Sequence, residues 1–220
     1  MRGDTLVMRA VLRSSVAGAV LAGVLVGSVS CGDVARTGRS PSLMVLQNLQ
    51  GASGASPSQF STFLLSDVQT LVTATVNGEE VRVPTIFNDV GQVTLRLEPK
   101  DRGLSGTGGT ITPLNQVVLS RYHIQFSRAD GRNTPGVDVP YPFDGGVTAT
   151  IGESPVSVPF EFVRHQAKLE SPLRALAGFG GRMFISTIAT VTFYGADLAG
   201  NEIQVTGTMS VSFSDYADPE

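Results

Sequence analysis

The chain has 220 residues, with 16 basic and 19 acidic side chains, two histidines, one cysteine and no tryptophan. A net charge of −3 without a Lys/Arg stripe argues against nucleic acid as a partner, and a single cysteine excludes an intramolecular disulfide framework. No apolar run reaches the roughly 20 residues that a spanning helix needs.

Arg9 and Arg13 precede a short apolar run over residues 16–26, followed by Gly27, Ser28, Val29, Ser30 and Cys31. A basic start, a short apolar core and a small-residue end predict a secretory signal over residues 1–30. Met8, taken as the start in place of Met1, would drop Asp4 and leave a cleaner basic head. Removing residues 1–30 takes away Arg2, Arg9, Arg13 and Asp4, a net +2, so the remaining 190 residues carry −5. That length suits one domain with a sizeable core, or at most two small ones.

A lone cysteine at the end of a signal core, preceded by Val29 and Ser30, resembles the lipobox of bacterial lipoproteins. The resemblance implies cleavage before Cys31 and acylation of its thiol and new amino terminus, hence a membrane anchor. Each buried methylene contributes about 0.8 kcal/mol, and stable anchoring takes more than one chain. The sequence departs from the family at Ser28, where a large aliphatic is usual, which leaves plain signal cleavage as the alternative. By the same resemblance Gly32 after the cysteine points to the outer membrane. Residues 31–41, small and polar, read as a lipidated tether. Residues 42–220 read as the folded body.

Residues 42–49 (SLMVLQNL) predict a first strand. Residues 60–72 (FSTFLLSDVQTLV) fit a strand with a turn at Ser66–Asp67 or a short helix, because periodicity does not decide. Asn77-Gly78 between apolar runs predicts a two-residue hairpin. Residues 92–98 alternate, with Val93, Leu95 and Leu97 inward. The glycine-rich stretch 100–112 lacks the Lys-Ser/Thr ending of a phosphate-binding loop and reads as a surface loop. Residues 118–126 alternate with Ser120, Tyr122, Ile124 and Phe126 inward. Residues 129–146, rich in Pro and Asp-Gly steps, read as a long irregular connection. Runs at 147–151 and 156–163 flank Gly152-Glu153-Ser154-Pro155 and predict another hairpin. Residues 166–177 are the best helix candidate, cut to a turn or two by Pro172. Residues 184–194, with Ala189, Val191 and Phe193 inward, and 203–213 complete the series, and the acidic tail reads as frayed.

Seven to nine strands, little helix and regular turn signals predict an all-β antiparallel sandwich. Within it, residues 189–213 resemble the last hairpin of bacterial immunoglobulin-like domains, which carry a D-x-x-G-N turn matched by Asp197, Gly200 and Asn201. The resemblance implies an Ig-like architecture, although the usual tryptophan and cysteine pair are missing and the chain exceeds a single ~100-residue Ig domain. With no internal repeat, one sandwich decorated by long loops is expected.

No catalytic constellation stands out. His123 and His165 lack an H-x-x-x-H partner or a nearby carboxylate at ligand spacing, and there is no G-x-S-x-G elbow. Calcium is the one cofactor considered: Asp130, Asn133 and Asp138, with Asp144 beyond, and Asp197 with Asn201 are oxygen ligands in loops. The same residues are ordinary turn formers. Tyr141 and Phe143 place two aromatics on the long loop as a contact patch. The expectation is a non-catalytic, lipid-anchored envelope module whose partner is another envelope protein. The alternative is an exported module for calcium or carbohydrate.

Overall fold

A computed structural model describes residues 39–100 and 111–216. The expected lipobox, with Cys31, and most of the glycine-rich stretch lie outside the described residues. From Ser40 onward the described residues belong to one compact unit. It is built from β1 (Ser42–Ala52), β2 (Phe63–Asp67), β3 (Thr70–Val76), β4 (Glu79–Thr85), β5 (Asp89–Pro99), β6 (Val117–Ser127), β7 (Phe143–Ile151), β8 (Val156–Val163), β9 (Phe184–Asp197) and β10 (Glu202–Ser214). A single helix, α1 (His165–Leu169), and 3-10 turns at Pro113–Asn115 and Leu173–Leu176 are the only helical pieces among the described residues.

The chain is all-β, as its alternation demands. A three-stranded sheet runs β1-β5-β8 and a five-stranded sheet runs β2-β10-β9-β6-β7, giving eight strands in two facing layers. The β3-β4 hairpin forms a sheet of its own. Val93, Leu95, Leu97, Val158 and Phe162 enter the core from the small sheet. Ile124, Ala189, Val191, Phe193, Val211 and Phe213 enter it from the large one. Phe160 spans the layers, edge-on to Phe193 at 5.2 Å and to Tyr122 at 5.2 Å between ring centroids. Such contacts add to the area term, since aromatic pairs prefer this geometry.

Four expectations need correction. First, the large sheet is mixed: β2 pairs parallel with β10, Leu64 opposite Val211, so the sandwich is not antiparallel throughout. Second, the break after β2 comes at Val68–Gln69, not Ser66–Asp67. Asp67 itself makes the corner, its carboxylate accepting from Thr70 Oγ1 (2.7 Å) and from the Tyr216 amide (3.1 Å). Third, Ser120 faces outward. A register shift between Leu119 and Arg121 inserts a bulge, so that Leu119 and Tyr122 both point inward. Fourth, β7 and β8 are not a hairpin, because β7 pairs with β6 and β8 with β5. Gly152–Pro155 is a corner between layers, held by the Leu97 amide donating to the Gly152 carbonyl at 2.7 Å.

The Asn77-Gly78 hairpin forms as read. Asn77 (φ 55°) and Gly78 (φ 86°) sit in the left-handed region that a two-residue turn requires, with Val76 opposite Glu79.

One charged pair lies inside the body. Asp89, at the start of β5, and Lys168, on α1, are almost fully buried and 2.7 Å apart. Asp89 also accepts from Ser66 Oγ (2.6 Å) and the Gly54 amide (2.8 Å), so both carboxylate oxygens are engaged. Burial pushes the Asp89 carboxyl up, against the pull of Lys168, Ser66 and Gly54 downward. Removing one member leaves an uncompensated buried charge. Lys168→Met is therefore expected to lower the unfolding free energy by about 3–5 kcal/mol in urea titration, whereas Arg82→Met, exposed on the β3-β4 hairpin, leaves it within about 0.5 kcal/mol.

Candidate functional site

The connection from β6 to β7 covers residues 128–142 and folds into a tight knot. The Thr134 carbonyl accepts from the Asp138 amide at 2.9 Å, the Gly136 amide donates to the Val139 carbonyl at 2.8 Å, and Val139 is buried. Gly136 has φ 76°, and a Cβ there would lie 2.2 Å from Tyr141 Oη. The Tyr141 ring therefore lies across a glycine that only glycine can supply.

Beyond this ring the chain opens a groove of about 720 Å3. Tyr141 and Gly136 form one wall, and Leu169, Glu170, Ser171, Arg174 and Ala175 from α1 and the following turn form the other. Tyr141 and Leu169 are about half exposed. Gln166 Nε2 donates to Glu170 Oε1 at 2.9 Å. The exposed Arg174 guanidinium makes no ion pair among the described residues. The groove thus offers a ring face, an aliphatic floor, a free cation and a neighbouring carboxylate, the mixture of apolar surface and few polar groups typical of recognition sites. Arg174 and Leu169 carried no motif in the sequence; only the fold brings them to Tyr141.

Phe143 does not belong to a loop patch. It opens β7, is buried, and packs edge-on to Tyr122 at 6.2 Å with Arg164 over its ring at 4.4 Å. The connection therefore ends four residues earlier than expected, with Asp144, Gly145 and Gly146 in the strand. Asp144 also bears on His123: the two are cross-strand partners, with Asp144 Oδ1 3.2 Å from His123 Nδ1 and 3.4 Å from Arg121 Nη1. The carboxylate judged absent near His123 is supplied by register, which the spacing of 21 residues hides. Arg121 in turn lies over the Tyr194 ring at 3.8 Å. His165 begins α1 and is exposed.

The oxygen ligands considered for calcium fall into two groups at opposite ends of the large sheet. Val117 of β6 stands opposite Asp197, while Ser127 leads into Asp130. Ten residues of strand, at about 3.3 Å each, put these groups roughly 33 Å apart. Asp130 accepts from Arg128 (2.6 and 3.1 Å) and Arg132 (3.1 Å), and the Arg128 hydrogen bonds hold its carboxyl well below the usual range. Asn133 Oδ1 accepts from the Arg128 amide and Asp138 Oδ2 from the Thr134 amide. Asp197 Oδ1 accepts from the Ala199 and Asn201 amides at 3.0 and 2.9 Å, and Asn201 Nδ2 donates to Oδ2 at 2.9 Å. Each carboxylate thus has local donors, the role of an Asx turn. Among the described residues no three His, Cys, Asp or Glu side chains gather as a metal site.

Comparison with family models, with curated proteins and with solved structures finds no match.

The β9-β10 turn carries a pH dependence. Burial raises the Asp197 carboxyl, but hydrogen bonds from Asn201, Ser40 and Ala199 outweigh it and the net direction is down. A lowered folded value means the stabilisation is present above the unfolded value, near pH 4, and is lost as pH falls through the folded one. Asp197→Ala is expected to cost about 2 kcal/mol at neutral pH, the scale of hydrogen bonds to a charged group. In denaturant titrations the gap between the two proteins shrinks below about pH 4.

Proposed function

We propose that the chain is an exported lipoprotein, anchored in the bacterial envelope through lipid on Cys31, whose β-sandwich is an Ig-like, non-catalytic module for protein interaction. The observation that carries the reading is the position of Cys31, the only cysteine, directly after a basic-headed apolar run and a small-residue end. The two-layer β body and the tight Asp197–Asn201 hairpin turn support the Ig-like architecture. The groove beside Tyr141 supports partner binding, since aromatic and arginine side chains supply most interface hot spots. Gly32 favours the outer membrane, and the acidic balance speaks against nucleic acid.

A second reading, an exported module for carbohydrate, is favoured by one feature: a half-exposed Tyr141 ring beside Glu170 and Arg174 suits stacking on a sugar with polar groups at its rim. Calcium, the other ligand of this reading, would have to displace the local donors of the Asp-bearing turns.

Metabolic labelling with a fatty acid tests the anchor. Wild type is expected to take up label and fractionate with membranes, and Cys31→Ser to lose both; an unlabelled, soluble wild type overturns the anchor. Tyr141→Ala and Arg174→Glu are each expected to weaken capture of envelope partners about tenfold, the scale of a hot-spot truncation, with unchanged unfolding midpoints. A calcium module would instead show a midpoint that rises with calcium concentration.

A further inference from the structure

Two apolar surfaces among the described residues face water. The first is the β3-β4 hairpin. By register Val72 stands opposite Val83 and Ala74 opposite Val81, with Val76 opposite Glu79 next to the turn, so one face of the hairpin is aliphatic between Thr70 and Thr85 at its base and Glu79 at its tip. The four valines leave 37–50 % of their surface exposed. A two-stranded hairpin by itself is marginal in water and needs another layer. Among the described residues no strand pairs with it.

The second surface is one end of the outer face of the large sheet. Across β2, β10 and β9 the register sets Phe63, Ser210 and Ile188 in one row and Leu65, Ser212 and Ser186 in the next, with Phe184 beyond. Tyr216 lies over this face, its hydroxyl 2.8 Å from Ser212 Oγ. Phe63, Leu65, Phe184, Ile188 and Tyr216 are each 40–65 % exposed. Together they present on the order of 400 Å2 of apolar surface, within the range of patches that are often functional.

We propose that the chain self-associates by exchanging arms: the β3-β4 hairpin of one copy covers the Phe63–Leu65–Phe184–Ile188 face of a second, and the reverse. Three points favour a second copy as the occupant. After two residues the hairpin follows on β2, which supplies Phe63 and Leu65 to the patch, so arm and patch are neighbours in the chain, as a two-fold exchange of arms requires. One hairpin on one patch buries too little for a stable complex, whereas the doubled contact passes the ~1,000 Å2 that a specific interface needs. The charges also match. The hairpin carries Glu79 at the tip of its apolar face with Glu80 beside it in the chain, and Arg182 stands two residues before Phe184 of the patch. None of the three makes an ion pair among the described residues.

The test is sedimentation of the full-length chain in mild detergent between 1 and 100 µM. Wild type is expected at the mass of two chains. Arg182→Glu, and separately Glu79→Arg with Glu80→Arg, are each expected to weaken association about tenfold, and the three changes together to restore it. Phe184→Asp and Val81→Asp are expected to give monomers. All five positions are exposed, and unchanged unfolding midpoints will show that the variants fold. A monomeric wild type at 100 µM, a dimer indifferent to these changes, or charge reversal without rescue overturns the proposal. So does a monomeric Cys31→Ser chain that floats with phosphatidylglycerol vesicles through the patch, which would make lipid the occupant.

Discussion

The Asp89–Lys168 pair is the constraint on which the rest of the body depends. Its members come from β5 in the small sheet and from α1, and its hydrogen bonds reach Ser66 on β2 in the large sheet and Gly54 in the turn after β1. Apolar packing alone tolerates sliding, since one methyl contact replaces another at little cost. A buried carboxylate does not, because every one of its acceptors must keep a partner. The pair therefore fixes where α1 docks. Through α1 it fixes where Leu169 and Arg174 stand relative to Tyr141. The groove inherits its geometry from a salt bridge that never meets solvent.

The same logic explains why the groove and the polar loops behave differently. In the connection from β6 to β7, Asp130, Asn133 and Asp138 spend their oxygens on local amides and guanidinium groups. The knot they tie presents Tyr141 from a firm base rather than from a floppy loop. Arg174, across the groove, has no such local partner. Side chains with satisfied hydrogen bonds build the walls of the candidate site, and the Arg174 guanidinium is left without an ion pair among the described residues.

Much of the fold was legible in the residues, and the misses have a common cause. Strand positions, inward faces such as Val93–Leu95–Leu97 and Ala189–Val191–Phe193, the short helix before Pro172 and the Asn77-Gly78 turn all follow from local rules of period and conformation. What local rules cannot carry is pairing. Gly152–Pro155 has the composition of a turn, but composition does not say whether the two flanking strands share a sheet. The bulge at Ser120 shifts the parity of a strand by one residue without altering its alternation enough to be seen. His123 and Asp144 meet only because β6 and β7 pair in one register. Of the candidate site, Tyr141 was legible as a loop aromatic, whereas Phe143, two residues on, is drawn into the core. Arg174 and Leu169 were invisible because their meaning lies in docking, not in spacing.

The parallel pairing of β2 with β10 has a consequence in time. β10 lies at the middle of the large sheet's β2-β10-β9 portion, yet it is the last strand among the described residues. β2 has no neighbour in its sheet until nearly 150 later residues have been made, a loop closure that is costly and slow. Until Glu202–Ser214 arrives, β9 carries an open edge and Leu64 an open core. The body cannot close early from its amino-terminal half. Closure of the large sheet therefore waits on Glu202–Ser214, and the two-layer body is expected to form late and in one concerted step rather than strand by strand from its amino-terminal half.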